Sequence, residues 1–348
     1  MVAGLKLSTI ASVDEPAFTS LLTVRRFDEA VRNPGDPEPI ASVVAADLFL
    51  PMPDYRRLIT VAEVDGAPAG YLNAIYRTEP DGDTWLAEVD VIVLPEFRRR
   101  GIATTLIDDA LPQLADVGLR SVVGEVTQGL CSDESTALCQ RYGLTKRLEE
   151  RCSRAQVADV DRSMLAGWIA DAARSSAYRV ESWEGPCPDH LLDLWCAAAV
   201  AMTDAPTDDL EYVENVRKPE MQREADRVCV ERGLLLYRSL ALSDSDEPAG
   251  VTEIFVNAEV PQVGQQGETG VLAAHRGHRL GKWLKAVNFE QAVVAHPEMR
   301  VIETYNAQSN PWMLDINIAM GFAPHHVYEF HQAPIETVLA ARSVEGSA

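Results

Sequence analysis

The hydrophobic pattern changes period in the middle of Val91-Ile-Val-Leu-Pro-Glu-Phe-Arg-Arg-Arg-Gly-Ile-Ala-Thr-Thr-Leu106. Before Pro95 the residues are mostly β-branched, which is typical of a strand, and after Gly101 apolar residues recur at helical spacing. The turn between them brings unpaired backbone N–H groups to a helix start, where the helix dipole attracts anions. A glycine lets a phosphate approach the backbone, and arginines add charged donors. The stretch therefore predicts a strand, a phosphate-binding turn and a helix.

The length and charge of the chain restrict its class. At 348 residues the chain is too long for one ordinary core and suits two domains of about 150 to 180 residues each. Asp and Glu outnumber Lys and Arg by 53 to 31, and the resulting net charge of −22 disfavours nucleic acid and anionic membranes as partners. The acidity either serves solubility alone or attracts a cationic small substrate.

Cysteine spacing and hydropathy indicate the compartment. The six cysteines show no C-x-x-C pairing and no histidine spacing suited to zinc, so the sequence predicts reduced thiols and no metal site. No apolar run approaches the roughly 18 residues of a membrane span. We therefore expect a cytoplasmic protein, either a monomer or a homodimer.

The second half of the chain repeats the first. Arg98 and Arg276 define an offset in residue number, here called the repeat offset, and the same offset relates Gly143-Leu144 to Gly321-Phe322. Pro68-Ala69-Gly70 recurs as Pro248-Ala249-Gly250 at a slightly larger offset, as a short loop insertion would cause. Such self-similarity predicts a tandem repeat of one domain. The predicted boundaries are an N-terminal domain at 1–158, a connecting helix at 159–177 and a C-terminal domain at 178–344.

With these residues in view, the chain resembles the GNAT superfamily of acyl-CoA-dependent N-acyltransferases, whose cofactor motif is Gln/Arg-x-x-Gly-x-Gly/Ala. Arg98-x-x-Gly101-x-Ala103 matches the motif fully. The second copy, Arg276 to Gly281, carries Arg279 where the family has its first glycine. A second family segment resembles Glu303 to Phe322. The resemblance implies an α+β (mixed α/β) fold of two tandem GNAT-like domains, each a central mixed, mostly antiparallel sheet flanked by helices.

The resemblance also implies acetyl-CoA as the cofactor. In such folds two parallel strands splay apart, and the pantetheine arm binds the exposed strand edge. The cofactor contacts that it implies are two strand edges, Val91, Val93, Val271 and Ala273, and two loops, Arg98, Arg99, Arg100, Gly101, Ile102 and Ala103 in the first half and Arg276, Gly277, His278, Arg279, Leu280 and Gly281 in the second.

Amine acetylation needs a base that deprotonates the ammonium group. The candidates are carboxylates on the strand before each motif, Glu88 and Asp90 in the first half and Glu268, the counterpart of Asp90, in the second. Glu303 lies on the neighbouring strand, and Glu125 is its counterpart. Each of them is either catalytic or a solvated carboxylate at a strand end.

An acid for the departing thiolate is harder to assign. The tyrosine that the family often has four residues before the Gly-Phe glycine is replaced by Cys139 and Asn317. Tyr142 and Tyr305 either substitute for it or pack in the core. Two asparagines of the second half, Asn306 and Asn310, hold either the substrate or the turn backbone.

The second half contains extra charged sequence at Thr203–Arg232, with a helix predicted at Glu211–Arg232. Its acidic residues are Asp204, Asp208, Asp209, Glu211 and Glu214. This segment is either a solvated surface or an acceptor wall that selects a cationic amine. Because the second half has the better Asn-to-Gly-Phe segment, we expect catalysis there, whereas the first half has the better cofactor loop.

The resulting hypothesis is an acyltransferase that moves acetyl from acetyl-CoA to a primary amine of a small polar molecule. No Ser-His-Asp or Cys-His nucleophile is evident, which favours direct attack in a ternary complex over an acyl-enzyme. The alternative is a non-catalytic acyl-CoA-binding or sensor protein, which the missing tyrosines favour. Acetylation of proteins ranks third, because nothing marks a peptide groove.

Overall fold

The computed structural model describes residues 2–77, 86–175, 177–212 and 216–343. The chain divides into two compact units. Unit 1 comprises Met1–Glu149, Thr207–Val213 and Tyr328–Ala348, and unit 2 comprises Glu150–Pro206 and Glu214–Val327. Each unit is a mixed sheet flanked by helices, so the predicted fold class is confirmed.

The elements of the first half are β1 (Leu5–Ile10), α1 (Ala17–Arg32), α2 (Ala41–Phe49), β2 (Tyr55–Val64), β3 (Ala67–Arg77), β4 (Leu86–Val93), α3 (Ile102–Asp116), β5 (Ser121–Thr127), α4 (Ser132–Arg141) and β6 (Thr145–Gln156). Those that follow are α5 (Arg162–Ser175), β7 (Tyr178–Glu184), α6 (Leu192–Ala199), α7 (Pro219–Glu231), β8 (Leu234–Ser243), β9 (Pro248–Asn257), β10 (Val263–Val271), α8 (Leu280–Ala295), β11 (Val301–Ala307), α9 (Pro311–Ala319), β12 (Ala323–Pro334) and α10 (Ile335–Ser343).

In unit 1 the strand order is β1-β2-β3-β4-β5-β12, and β4 and β5 are parallel while the other pairs are antiparallel. Helix α1 packs on one face of this sheet through Phe18, Leu21 and Val24. Helix α3 packs on the other face through a stripe that includes Leu106 and Ala110. These stripes are the apolar faces that the helical spacing predicts.

In unit 2 the strand order is β7-β8-β9-β10-β11-β6, with a parallel β10–β11 pair and antiparallel neighbours. Helix α8 is the counterpart of α3, because its first residue, Leu280, follows Ile102 by the repeat offset. Helix α5 packs against α8 within the same hydrophobic core, which contains Leu165 and Phe289.

Each unit takes its sixth strand from the other half of the chain. Strands β6 and β12 are counterparts, because both of their ends are related by the repeat offset. However, Glu150–Gln156 pairs with β11, and Tyr328–Pro334 pairs with β5. The compact units therefore differ from the predicted contiguous domains at 1–158 and 178–344, and the helix predicted at 159–177, observed as α5, belongs to unit 2.

The repeated Pro-Ala-Gly tripeptide has the same physical reason in both units. A Cβ on Gly70 would lie 2.4 Å from the carbonyl oxygen of Ile92, and a Cβ on Gly250 would lie 2.7 Å from that of Gly270. At both places the neighbouring strand passes too close for a side chain, so only glycine fits.

The charged segment after α6 is not the long helix that the sequence predicts. Helix α7 begins only at Pro219, where the ring fits the first helical position, and the residues at 207–212 belong to unit 1. There the backbone N–H of Asp209 donates to the carbonyl of Arg147, and the backbone of Glu211 exchanges hydrogen bonds with Gln332. Glu214, another acidic residue of the prediction, lies outside the described residues.

Strand exchange predicts that a C-terminal deletion damages the N-terminal half. Removing residues 328–348 uncovers the edge of β5 and takes Ala333, Ile335 and Val338 from the core under α3. In hydrogen–deuterium exchange we expect β5 and α3 to lose protection, while β8 and β9 keep it. Loss of protection confined to β10 and β11 would contradict the exchange.

Candidate functional site

The two predicted phosphate turns have the same backbone conformation, but arginine and glycine exchange positions between them. Arg99 and Gly101 both adopt positive φ angles, of 61° and 83°, and their counterparts Gly277 and Arg279 have φ angles of 84° and 61°. Each turn thus places one arginine in the left-handed region, which costs about 1–2 kcal/mol relative to ordinary backbone. Arg279 therefore preserves the turn although the family motif has a glycine at this position. Neither helix that follows has a side-chain hydrogen bond at its N-cap residue, Gly101 or Arg279.

The first arginine of each motif holds the turn against the preceding strand. Arg98 Nε donates to the carbonyl of Val93 over 2.9 Å, and Arg276 Nε donates to the carbonyl of Val271 over 3.0 Å. These two arginines serve the turn, while the exposed Arg99, Arg100 and Arg279 remain at its surface for an anion.

The other predicted loop residues divide into anchors and surface groups. Ile102 and Leu280 are buried and fix the helix starts in the core. Ala103 and Gly281 follow in the first turns of α3 and α8, where backbone N–H groups lack partners within the helix. His278 packs its ring 5.2 Å from that of Tyr178.

The parallel strands of unit 1 separate as the resemblance implies. Within the described residues, pairing between β4 and β5 ends at Val89 and Gly124, although β4 continues to Val93. Leu94 donates its N–H to Ala69 on β3, so by alternation the backbone groups of Val91 and Val93 point away from β3 into the gap. Val91 and Val93 thus lie on the unpaired edge of β4, where the Val93 carbonyl accepts from Arg98, and their contact with a cofactor stays a prediction.

The parallel strands of unit 2 also separate, but one residue that we predicted at the strand edge lies beyond the strand. Pairing between β10 and β11 ends at Gln265 and Glu303, and Val271 closes β10. Ala273 lies in a 3₁₀ turn beyond the strand, so it is not part of the edge. The residue equivalent to Val91 by the repeat offset is Thr269, so the prediction of Val271 and Ala273 lies two residues too far along the chain.

An apolar cavity of about 80 Å³ opens beside the gap of unit 1. Its walls come from both strands and from α3 and α4, and they include Val91, Gly124, Ile107, Ala110, Leu138 and Cys139. A Cβ on Gly124 would lie 3.3 Å from Cys139 Sγ, so the glycine keeps the cavity wide. The walls of the cavity are mostly apolar side chains, as is usual for small-molecule sites.

A carboxylate cluster lies where the strands of unit 1 separate. Asp90 and Glu125 are the first residues beyond the last paired positions, and Glu125 also lines the cavity. Burial, and then the charge of Asp90, raise the pKa of Glu125 to about 7, although Arg32 opposes the shift. About a third of the Glu125 side chain, 32%, stays accessible, as expected for a group enclosed in a cleft.

Helix α1 supplies the cations of this cluster. Arg32 donates to Asp28 over 2.8 Å and to Thr127 Oγ1 over 2.5 Å, while its Nη1 lies 3.5 Å from Glu125 Oε1. Sequence reasoning missed Arg32 and Asp28, because they lie far from β5 along the chain and carry no motif. The close Asp28 pair and the long Glu125 contact leave Glu125 only weakly compensated.

Glu88 lies two positions before Asp90 and shares its face of β4. Its side chain reaches solvent, yet enclosure by the protein raises its pKa, with Arg77 and Arg57 opposing the shift. Arg77 also stacks on Tyr55 and donates to the hydroxyl of Tyr212. The segment at 207–212 therefore approaches Glu88 through Arg77.

The carboxylates of unit 2 have different partners. Glu268 lies in the β10 bulge and forms an ion pair with Arg217, which also donates to the buried Gln222. Arg154 on β6 holds Glu303 through Nε and Nη2, at 3.2 and 2.8 Å from Oε2. Each of the two carboxylates therefore has an arginine partner.

The predicted substrate asparagines serve the fold. Asn310 caps α9, because its Oδ1 accepts from the N–H of Met313 over 3.2 Å. Asn306 Oδ1 accepts from Asn317 Nδ2 over 2.6 Å. Of the two phenols, Tyr142 donates to Asp108 over 2.8 Å and Tyr305 donates to Glu303 over 3.1 Å.

The turn before α3, the open parallel strand pair and the apolar cavity lie together in unit 1, as the resemblance implies. A model of the acetyltransferase (GNAT) family matches residues 25–144. A tandem GNAT protein from the clavulanic acid biosynthesis pathway is 25% identical, with 95% of this chain and 98% of that chain covered and a TM-score of 0.76. These likenesses support the GNAT superfamily, tandem type, that the resemblance predicted.

Two further solved structures share the fold. A GCN5-related N-acetyltransferase from Sphaerobacter thermophilus is 17% identical, with 94% of this chain and 96% of that chain covered and a TM-score of 0.66. The N-myristoyltransferase of Saccharomyces cerevisiae, solved with myristoyl-CoA, is 9% identical over 95% of this chain and 80% of that chain, with a TM-score of 0.60. These two likenesses show the fold alone.

Two absences concern only the described part of the chain. None of its helices combines the length and apolarity that crossing a bilayer requires. No group of His, Cys, Asp and Glu side chains in the same ranges is arranged to hold a metal ion.

The turn of unit 1 predicts a charge effect at Gly101. Asp and Asn have the same shape and both tolerate the left-handed region, so Gly101→Asp and Gly101→Asn differ only in charge. A Cβ at this position meets nothing within 4 Å. We expect Gly101→Asp to weaken CoA binding at unit 1 by at least about tenfold and Gly101→Asn by much less. Native mass spectrometry that counts bound CoA tests this, and equal effects of the two variants would contradict it.

Proposed function

We propose that unit 1 transfers acetyl from acetyl-CoA to a primary amine of a small polar molecule, by direct attack in a ternary complex. The observation that carries the proposal is Glu125, a carboxylate with a pKa of about 7 at the point where β4 and β5 separate. A general base works best when its pKa lies near the working pH, because it is then ionised and still a useful proton acceptor.

Bound acetyl-CoA would supply the acetyl group as a thioester, whose carbonyl carbon the amine attacks, so that an amide forms and the CoA thiol leaves. The turn at Arg99 to Gly101 would hold the pyrophosphate, and the edge of Val91 would hold the pantetheine arm. Glu125 would take a proton from the ammonium group before attack, directly or through one water. Asp90 would favour this step, since its charge raises the proton affinity of Glu125.

Cys139 stands at the family's tyrosine position and lines the cavity. Burial raises its pKa to about 11, so it is a neutral thiol at physiological pH. A neutral thiol is a poor nucleophile, which supports direct transfer over an acyl-enzyme. Because a thiol with a pKa of about 11 is a weaker acid than an ordinary thiol, the leaving thiolate would take its proton from the attacking nitrogen, which must lose one as the amide forms.

The proposed acceptor is cationic, and the segment at 207–212 supports this. Its side chains Asp208, Asp209 and Glu211 are exposed in unit 1, and Tyr212 meets Arg77, the neighbour of Glu88. A group of carboxylates near a cleft raises the local concentration of cations. We therefore assign acceptor selection to this segment, and catalysis to unit 1 instead of the second half.

Substitution of Glu125 tests the base. A carboxyl with a pKa of about 7 must be ionised to act as a base, so we expect kcat/KM of the wild type to rise with pH until about pH 7 and then level off. We expect Glu125→Gln to lose this rise and to lower kcat by about 100-fold or more, while CoA binding persists. Initial rates with an amine panel and a thiol reagent provide the measurement.

Glu303→Gln is the matched control, because Glu303 occupies the equivalent position in unit 2. We expect this variant to keep the dependence on pH. A Glu125→Gln enzyme with a wild-type profile would remove Glu125 from the mechanism. CoA binding without thiol release for any amine would favour the alternative, a non-catalytic acyl-CoA sensor.

A further inference from the structure

Helix α8 of unit 2 buries polar side chains that have no hydrogen-bond partner. Lys285 and Asn288 are both 0% exposed, and neither the Lys285 ammonium nor the Asn288 amide forms a hydrogen bond within the described residues. The Lys285 ammonium lies 5.4 Å from the ring centre of Phe322. Buried polar groups without partners destabilise a fold, so a bound group that satisfies them offers an explanation.

A third buried polar group, Asn317, lies on α9. Asn317 is 1% exposed, and its Nδ2 donates to Asn306 while its Oδ1 lacks a donor within the described residues. Burial alone lowers the pKa of Lys285 to about 7, so no carboxylate of the chain lies near enough to compensate it. The region thus has an uncompensated cation, amide donors and amide acceptors.

The repeat shows where these groups lie. By the repeat offset, Lys285, Asn288 and Asn317 correspond to Ile107, Ala110 and Cys139, and all three of those residues line the cavity of unit 1. The helices that carry them correspond as well, because α3 and α8 begin, and α4 and α9 end, at the same offset. The apolar lining of unit 1 is therefore replaced in unit 2 by a polar lining with unused hydrogen-bonding capacity.

We propose that unit 2 binds, in the region between α8 and α9, a ligand that carries a carboxylate together with an N–H or O–H donor. The Lys285 ammonium and the Asn288 amide would bind the carboxylate, and Asn317 Oδ1 would accept from the donor. Two sources have this chemistry: the end of a CoA thioester whose acyl group bears a carboxylate, and a free small acid. The inference does not depend on the activity of unit 1.

Binding measurements with three probes distinguish the sources. Succinyl-CoA represents the carboxyacyl thioester, acetyl-CoA lacks only the carboxylate arm, and N-acetylglycine is a free acid with one N–H donor. With native mass spectrometry and calorimetry on the full chain, we expect one site that prefers succinyl-CoA over acetyl-CoA by about tenfold or more. If N-acetylglycine binds there instead, the ligand is a free acid.

Lys285→Met is the decisive variant, because methionine conserves the length of the side chain and removes the charge. We expect it to abolish the preference for succinyl-CoA, or the binding of N-acetylglycine. Lys282→Met is the matched control: it removes an equal charge from the same helix, where Lys282 instead stacks on Trp168. This control should leave the ratio of the two thioester affinities unchanged.

Asn288→Ala is a second variant that reproduces the lining of unit 1 and retains the lysine. We expect it to weaken carboxylate binding by several-fold, and it keeps the test open if Lys285→Met fails to fold. Carboxylate binding that is absent in the wild type, or equal in the wild type and both variants, would overturn the inference. None of these outcomes alters the effect of Glu125→Gln, so failure of this proposal and failure of the proposed function are distinguishable.

Discussion

The arrangement of unit 1 depends on where strand pairing ends: hydrogen bonding between β4 and β5 stops at Val89 and Gly124. A parallel pair that continued would satisfy its own backbone and close the space between α3 and α4. Because it stops, the edge of Val91 and Val93 remains open, and the cavity has room beside it. The same divergence places Asp90 and Glu125 at the closed end of the gap, where the charge of Asp90 raises the proton affinity of Glu125.

The two units show how one scaffold holds two kinds of chemistry. Both keep the left-handed turn before the helix, even at the cost of an arginine at positive φ. The lining changes from Ile107 and Ala110 in one unit to Lys285 and Asn288 in the other, and the edge residue changes from Val91 to Thr269. The two units therefore share the backbone of the turn, whereas the side chains beside it differ.

Much of the scaffold follows from the sequence. The period change at Pro95 predicts the strand, turn and helix, and the repeat offset aligns the elements of both halves. Side-chain partners across long distances are not local properties, so Arg32 beside Glu125, and Arg154 beside Glu303, have no sequence signal. Helix α2 was missed, because its short apolar run at Ala41–Phe49 lacks a capping residue. The sequence could have identified Lys285 as an unusual buried residue, because it interrupts the apolar face of α8.

Strand exchange explains why the equivalent glutamates of the two units differ. Strand β6 carries Arg154, and its counterpart on β12 is the neutral Gln332. Because β6 pairs with β11, Arg154 forms an ion pair with Glu303, whereas β12 places Phe330 opposite Glu125. Had β6 remained beside β5, Arg154 would lie within one diagonal of Glu125 and would lower its pKa. The exchange therefore keeps the strongest arginine partner away from the carboxylate whose raised pKa suits a base. A comparison of the two halves by sequence places Arg154 in the first half, with Glu125, and therefore does not reveal that Arg154 pairs with Glu303 in unit 2.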